Sequence, residues 1–191
     1  MQELPEQKDS YTYAEYAKID DGKRYELIDG SLMVMEPGPA RAHQSIISEL
    51  VRQIANHLLD KPSEVVVSPF DVCLFGDGDN DKTVVQPDLI VVSDLSKLDG
   101  KRCNGAPDFA IEIVSPSSAH RDMIKKFDSY MRAGVAEYWI VNHEEDLVCV
   151  CLLRDGKYEL IEYRSPKLIP ITVLDNFEID MGFVFTKARF Y

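Results

Sequence analysis

From residue 41 to 59, apolar side chains recur at Ile46, Ile47, Leu50, Val51, Ile54 and Leu58, the spacing of a single helix face. A second helix is expected over 118–133, stopped by Gly134. A short one is expected over 12–19, opened by the capping-box pair Thr12 and Glu15. Elsewhere the period shortens. Residues 24–28 and 31–35 flank Asp29-Gly30 and read as a hairpin. Residues 84–92 and 109–114 are dense in Val and Ile, as strands covered on both faces are. A strand-like stretch over 63–75 is interrupted by Pro69, and 94–105 reads as a polar connection. Strands are expected over 137–141, 147–153 and 158–163, the last two joined through Asp155-Gly156, with a closing stretch over 169–179. This order predicts one α/β domain over 1–191, a mixed β-sheet flanked by helices.

Composition fits that picture: of 191 residues 45% are hydrophobic, too many for a disordered chain. The balance of 33 acids to 21 bases, net −12, excludes a protein that coats nucleic acid with a broad basic surface. It leaves room for a local site where carboxylates hold a metal. The excess acid is uneven: residues 1–100 hold 19 acids and 9 bases, residues 101–191 hold 14 and 12. The start of the chain has no signal-peptide pattern, and no stretch reaches the ~20 apolar residues of a membrane span. Cys73, Cys103, Cys149 and Cys151 contain no C-x-x-C pair and read as free thiols of a cytoplasmic protein.

Carboxylates inside apolar runs are the anomalies, because a buried charge needs a partner or an ion. Asp88 lies in Val84-Val-Gln-Pro-Asp-Leu-Ile-Val-Val92, and Glu112 in Phe109-Ala-Ile-Glu-Ile-Val114. Either alone could pair with a buried base. Two in neighbouring strands point to a shared hard cation, Mg²⁺ or Mn²⁺, held by oxygen ligands. Asp108 competes with Asp88, but four residues along one strand separate it from Glu112 by roughly 13 Å, at ~3.3 Å per residue. Glu26 is a third acid with apolar neighbours, and an edge strand could carry it equally well.

The second helix supplies cations: Arg121, Lys125, Lys126 and Arg132 against Asp122 and Asp128. Asp122, Lys126 and Tyr130 share one face, either as an exposed ion pair or with Lys126 aimed at the carboxylates. His43 reads as a hydrogen-bonded residue of a helix start, since no zinc spacing accompanies it. Tyr138 and Trp139 read as strand core or dimer surface. The triplet Asp77, Asp79, Asp81 resembles an incomplete calcium loop, with a solvated hairpin loop the default. A helix cap is expected at 117–120.

In order along the chain stand Tyr25-Glu-Leu-Ile-Asp-Gly30, His43, Gln86-Pro-Asp-Leu89, Ala106-Pro-Asp-Phe-Ala-Ile-Glu-Ile-Val-Ser-Pro116, then Asp122, Lys126 and Tyr130, and Ala133-Gly-Val-Ala-Glu-Tyr-Trp-Ile-Val141. This set resembles the Uma-two-type restriction endonucleases, a branch of the PD-(D/E)xK nuclease superfamily. The resemblance implies a restriction-endonuclease-like core, Mg²⁺-dependent hydrolysis of DNA, and a homodimer. It implies that Asp88, Glu112 and the carbonyl of Ile113 bind metal, and that Glu26 is the acid from the N-terminal segment. Val114 stands where the motif has lysine, and the resemblance implies that Lys126 takes its place. That departure and the net charge of −12 leave two rivals: a catalytically inactive nuclease-fold binding or assembly module, and a metal phosphoesterase acting on small nucleotides.

Overall fold

The structure is a computed structural model and describes residues 8–35, 41–114 and 119–189, with only the backbone of 119–123. Arg121, Asp122 and the cap expected at 117–120 therefore fall outside the described side chains. Thr12 opens the short helix α1 (Tyr13–Tyr16), where Glu15 accepts the Thr12 backbone N–H at 3.0 Å. Strands β1 (Tyr25–Ile28) and β2 (Ser31–Val34) form the expected hairpin. Its turn needs positive φ at both central residues, and Asp29 (48°) and Gly30 (81°) supply it. The long helix α2 (Arg41–Leu58) buries Ile46, Leu50, Ile54 and Leu58.

The remaining strands are β3 (Glu64–Val67), β4 (Asp71–Cys73), β5 (Val84–Val85), β6 (Leu89–Val92), β7 (Arg102–Asn104), β8 (Phe109–Val114), β9 (Glu137–Asn142), β10 (Leu147–Arg154), β11 (Lys157–Arg164), β12 (Leu168–Ile171) and β13 (Phe177–Asp180). Helix α3 (Ala119–Ala133) lies between β8 and β9, and α4 (Met181–Arg189) follows β13. The central sheet is mixed, in the order β11-β10-β9-β8-β6-β3, with β8 and β9 parallel across the α3 crossover. A five-stranded sheet (β2-β1-β5-β4-β7) and the β12–β13 pair complete the fold.

Both faces of the central sheet are covered, which is why its strands read as unbroken apolar runs. Leu89, Val91, Phe109, Ile111, Trp139 and Val150 pack with α2 and α4. The alternate residues Ile90, Val92, Ala110, Tyr138 and Cys151 pack with Tyr130 of α3 and with Ile28, Val72 and Val85 of the five-stranded sheet. Glu112 has the parity of Ala110, so it faces α3.

Several boundaries differ from expectation. The run 84–92 is two strands in two sheets, broken where Pro87 lacks a ladder donor. Hydrophobicity reports burial on both sides of a strand, not which sheet it joins. For the same reason 63–75 divides between sheets on either side of Pro69, and the polar connection hides β7, which pairs in parallel with β4. The acidic loop is not simply solvated. Asp81 is fully buried and accepts the backbone N–H groups of Phe75 (3.0 Å) and Thr83 (2.8 Å). The closing stretch is a hairpin followed by a helix the pattern did not reveal. Among the described residues, no helix is long and apolar enough to cross a membrane.

Candidate active site

Register places the two central acids side by side. Leu89 pairs with Ile111, so Asp88, one residue earlier, is level with Glu112, one residue later. Cross-strand neighbours project to the same face of a sheet. Asp88 Oδ2 accepts the backbone N–H of Ile113 at 2.8 Å and lies 3.1 Å from His43 Nε2 at the start of α2. On a strand the N–H and C=O of one residue point to the same edge, so the Ile113 carbonyl also faces the Asp88 side. Asp108 sits at the opposite end of β8, its Oδ2 accepting the Ser93 N–H at 2.7 Å.

Helix α3 approaches from the Glu112 face. Lys126 and Tyr130, four residues apart, both reach Glu112 Oε1, the ammonium at 2.5 Å and the phenol at 2.8 Å. Lys126 Nζ also donates to Glu26 Oε1 on β1, at 2.8 Å. That same Glu26 oxygen accepts the Gln86 backbone N–H at 2.8 Å. The side chains of Glu26, Glu112 and Lys126 keep only 9%, 13% and 11% of their exposure. Lys126 is thus a shared counter-ion of two carboxylates inside the protein, not an exposed side chain.

The charges do not balance. Ionised Glu26, Asp88 and Glu112 face one lysine, a formal excess of two negative charges in a partly dry site. Burial pushes the Glu112 carboxyl up to about 7, and Asp88 and Glu26 add repulsion while Lys126 pulls the other way. Burial works against the Lys126 ammonium, yet Glu112 and Glu26 outweigh it and raise its pKa, so the lysine stays protonated. Burial, then Glu112, hold the Tyr130 phenol well above its ordinary range.

The donor set fits a hard divalent cation: two carboxylates in register, a backbone carbonyl at the same edge, and surplus charge equal to the ion's. Among the described residues no three His, Cys, Asp or Glu side chains group closely enough to hold a metal by themselves. Protein oxygens would therefore supply part of a coordination sphere completed by water, as Mg²⁺ prefers.

Sequence reasoning placed His43 at a helix start without connecting it to Asp88; its Nδ1 is buried with no hydrogen-bond partner among the described residues. It also missed Gln86, whose side chain bonds Asp71 (2.8 Å) and Arg24 (2.5 Å) while its backbone holds Glu26. Other candidates disperse. Asp79 pairs with Arg102 at 3.0 Å while Asp81 binds backbone, so the acidic triplet does not converge. Tyr138 and Trp139 are fully buried core, and the four cysteines are free thiols.

A family model described as "Putative restriction endonuclease" (Uma2) matches residues 11–182. No curated protein matches the chain. A crystal structure described as that of "a putative nuclease belonging to DUF820", from Anabaena variabilis, superposes with a TM-score of 0.73 at 21% identity. The match covers 93% of this chain and 98% of the other.

Proposed function

The chain belongs to the Uma2 family of restriction endonucleases, and from that membership and the charge excess around Glu112 we propose that it hydrolyses DNA phosphodiester bonds using Mg²⁺, with Mn²⁺ as the alternative ion. The single observation that carries this reading is Lys126 of α3 at 2.5 Å from Glu112, beside Asp88 in register. It answers the chief sequence objection, because a lysine from the helix stands at the acid that Val114 leaves without one.

Asp88, Glu112 and the Ile113 carbonyl would hold the ion. Bound Mg²⁺ supplies a water of lowered pKa and neutralises charge on the phosphate. His43 and the Ile113 N–H fix the orientation of Asp88. Lys126, protonated at rest, orients the attacking water and stabilises negative charge developing on the phosphoryl oxygens. Glu26 would act through Lys126: its Oε1 is engaged by the ammonium and the Gln86 N–H, which supports a positioning role over a second ion.

The test is incubation of pure protein with plasmid and oligonucleotide DNA, with Mg²⁺, with Mn²⁺ and with chelator. Metal-dependent cleavage is expected from the wild type and not from folded Glu112→Ala or Lys126→Ala. Near wild-type cleavage by either variant overturns the assignment. No cleavage, and no metal binding dependent on Asp88 and Glu112, would favour the inactive module.

A further inference from the structure

The acidic centre carries two formal negative charges more than Lys126 offsets, and one divalent ion would cancel them. Every phosphate of a nucleic acid laid across the centre adds a further charge that the ion does not cover. In so acidic a chain several arginines are already paired: Arg52, Arg102, Arg132, Arg164 and Arg189 each rest on a carboxylate. Arg24, exposed just ahead of β1, is held differently. Its Nη2 donates to two neutral acceptors, Gln86 Oε1 at 2.5 Å and Ser68 Oγ at 3.2 Å. Among the described residues it pairs with no carboxylate.

Register puts that guanidinium on the rim of the acidic centre. Val67 of β3 pairs with Leu89, and one residue further on the Ser68 N–H donates to the Asp88 carbonyl at 3.2 Å. Ser68, Asp88 and Glu112 therefore stand level in a row across the ends of three neighbouring strands. They share the face that α3 covers, since Val66, Ile90 and Ala110, each two residues away on the same strands, pack there. The Ser68 anchor of Arg24 is thus one strand spacing, about 4.8 Å, from Asp88. The second anchor is itself fixed, because Gln86 Nε2 donates to Asp71 at 2.8 Å and to the Tyr16 hydroxyl at 3.2 Å. The Gln86 amide bridges the guanidinium to Asp71 and orients the charge without a direct ion pair.

We propose that Arg24 binds a backbone phosphate of the nucleic acid, the one next to the phosphate held at the Asp88–Glu112 end, an inference that rests on the nuclease reading above. Both described contacts of the guanidinium are made by Nη2, and the remaining donors of its planar fork match the non-bridging oxygens of a phosphate. The place in the row suits the spacing. Consecutive phosphates of one strand advance ~3.4 Å along a duplex axis, so a strand that reaches the ion at Asp88 brings its next phosphate within the span of an arginine side chain. A mononucleotide has no second phosphodiester, so the contact selects a polynucleotide.

The experiment measures binding of a labelled duplex of about 20 base pairs by anisotropy, in chelator so that cleavage is silent, across roughly 50 to 200 mM salt. Arg24→Gln should weaken binding at least about fivefold at the low-salt end and lower the log–log salt slope by about 1, the share of one phosphate contact. Arg24→Lys keeps the charge and should keep the slope. Arg154→Gln removes an exposed arginine at the opposite end of the sheet and should leave affinity within about twofold, since charge that distant is screened. With Mg²⁺ present, Arg24→Gln should raise KM for plasmid by more than it lowers kcat. Equal affinity and slope in the wild type and folded Arg24→Gln overturn the contact, as does a wild type that binds no duplex at any salt. A fall in kcat with the slope unchanged also overturns it, because a bracket that only holds Gln86 would act that way. Binding that depends on Arg24, with no plasmid cleavage under any metal, would keep the contact and overturn the nuclease reading.

Discussion

Two glutamates stand on neighbouring parallel strands of one sheet, both largely or wholly shielded from solvent, and they are built for different ends. Glu137, at the start of β9, is fully buried with both oxygens engaged: Trp139 Nε1 donates to Oε1 at 2.7 Å and the Val173 N–H to Oε2 at 3.1 Å. Glu112, near the end of β8, shares a lysine with Glu26 and stands level with Asp88. Burial raises the pKa of both. At Glu137 neutral donors pull against that rise, and the carboxylate ties β9 to the segment after β12. At Glu112 other carboxylates push the same way as burial. A buried acid enclosed by donors is a structural staple. A buried acid that shares one lysine with a second acid and faces a third is the proposed place for a cation.

The largest expected difference lies in activity. Glu112→Gln should lower plasmid cleavage at least about a thousandfold while the metal-free protein melts no lower than wild type, since the substitution relieves repulsion. Glu137→Gln should leave cleavage within a few-fold and cost about 1–3 kcal/mol of stability by denaturant titration, for spoiling a satisfied buried network. Equal loss of activity from the two would erase the distinction.

Next in size is Lys126→Met, which strands Glu26 and Glu112 without their counter-ion. A loss of about 3–5 kcal/mol is expected by denaturant titration at pH 8. Adding Glu112→Gln to it should recover part of that loss; simple additivity of the two changes would argue against a shared charge cluster.

The pH dependence follows from the same centre. The Glu112 carboxyl rises from its ordinary 4.5 to about 7, so its contribution to stability is complete below about pH 4.5 and is lost as pH climbs through 7. Thermal melting of the metal-free protein should show this decline between pH 5 and 8, and Glu112→Gln should flatten it. Saturating Mg²⁺, which favours the ionised carboxylate, should reverse the trend in the wild type. The smallest effect is expected from Tyr130→Phe, which removes one hydrogen bond to Glu112 Oε1 and costs about 1 kcal/mol by denaturant titration, with cleavage reduced less than tenfold.

What could be read from the chain divides along physical lines. The positions of α2 and α3 are written in side-chain period, so the shared face of Lys126 and Tyr130 was legible, as were the anomalous acids Asp88 and Glu112. The depth of Glu26 was not: β1 is buried on both faces because α3 covers Glu26 and Ile28 on one side and Tyr11 and Tyr16 cover Tyr25 and Leu27 on the other, which is tertiary information. Nor was the division of 84–92 between two sheets, since Val-rich runs look alike whichever sheet they join. Polar neighbours make Asp81 read as solvent-facing, yet its carboxylate replaces missing backbone partners inside the turn. The His43–Asp88 contact joins residues 45 apart, and local spacing carries no trace of it.

We propose that the Asp88–Glu112 end of the sheet is charged to receive a divalent cation. Calorimetric titration of Mn²⁺ into the metal-free protein, with Asp88→Asn and Glu112→Gln alongside, tests it most directly. Saturable binding that releases protons near pH 7 is expected in the wild type and is lost in both variants. Binding of equal strength in all three proteins, or none in the folded wild type, would contradict it.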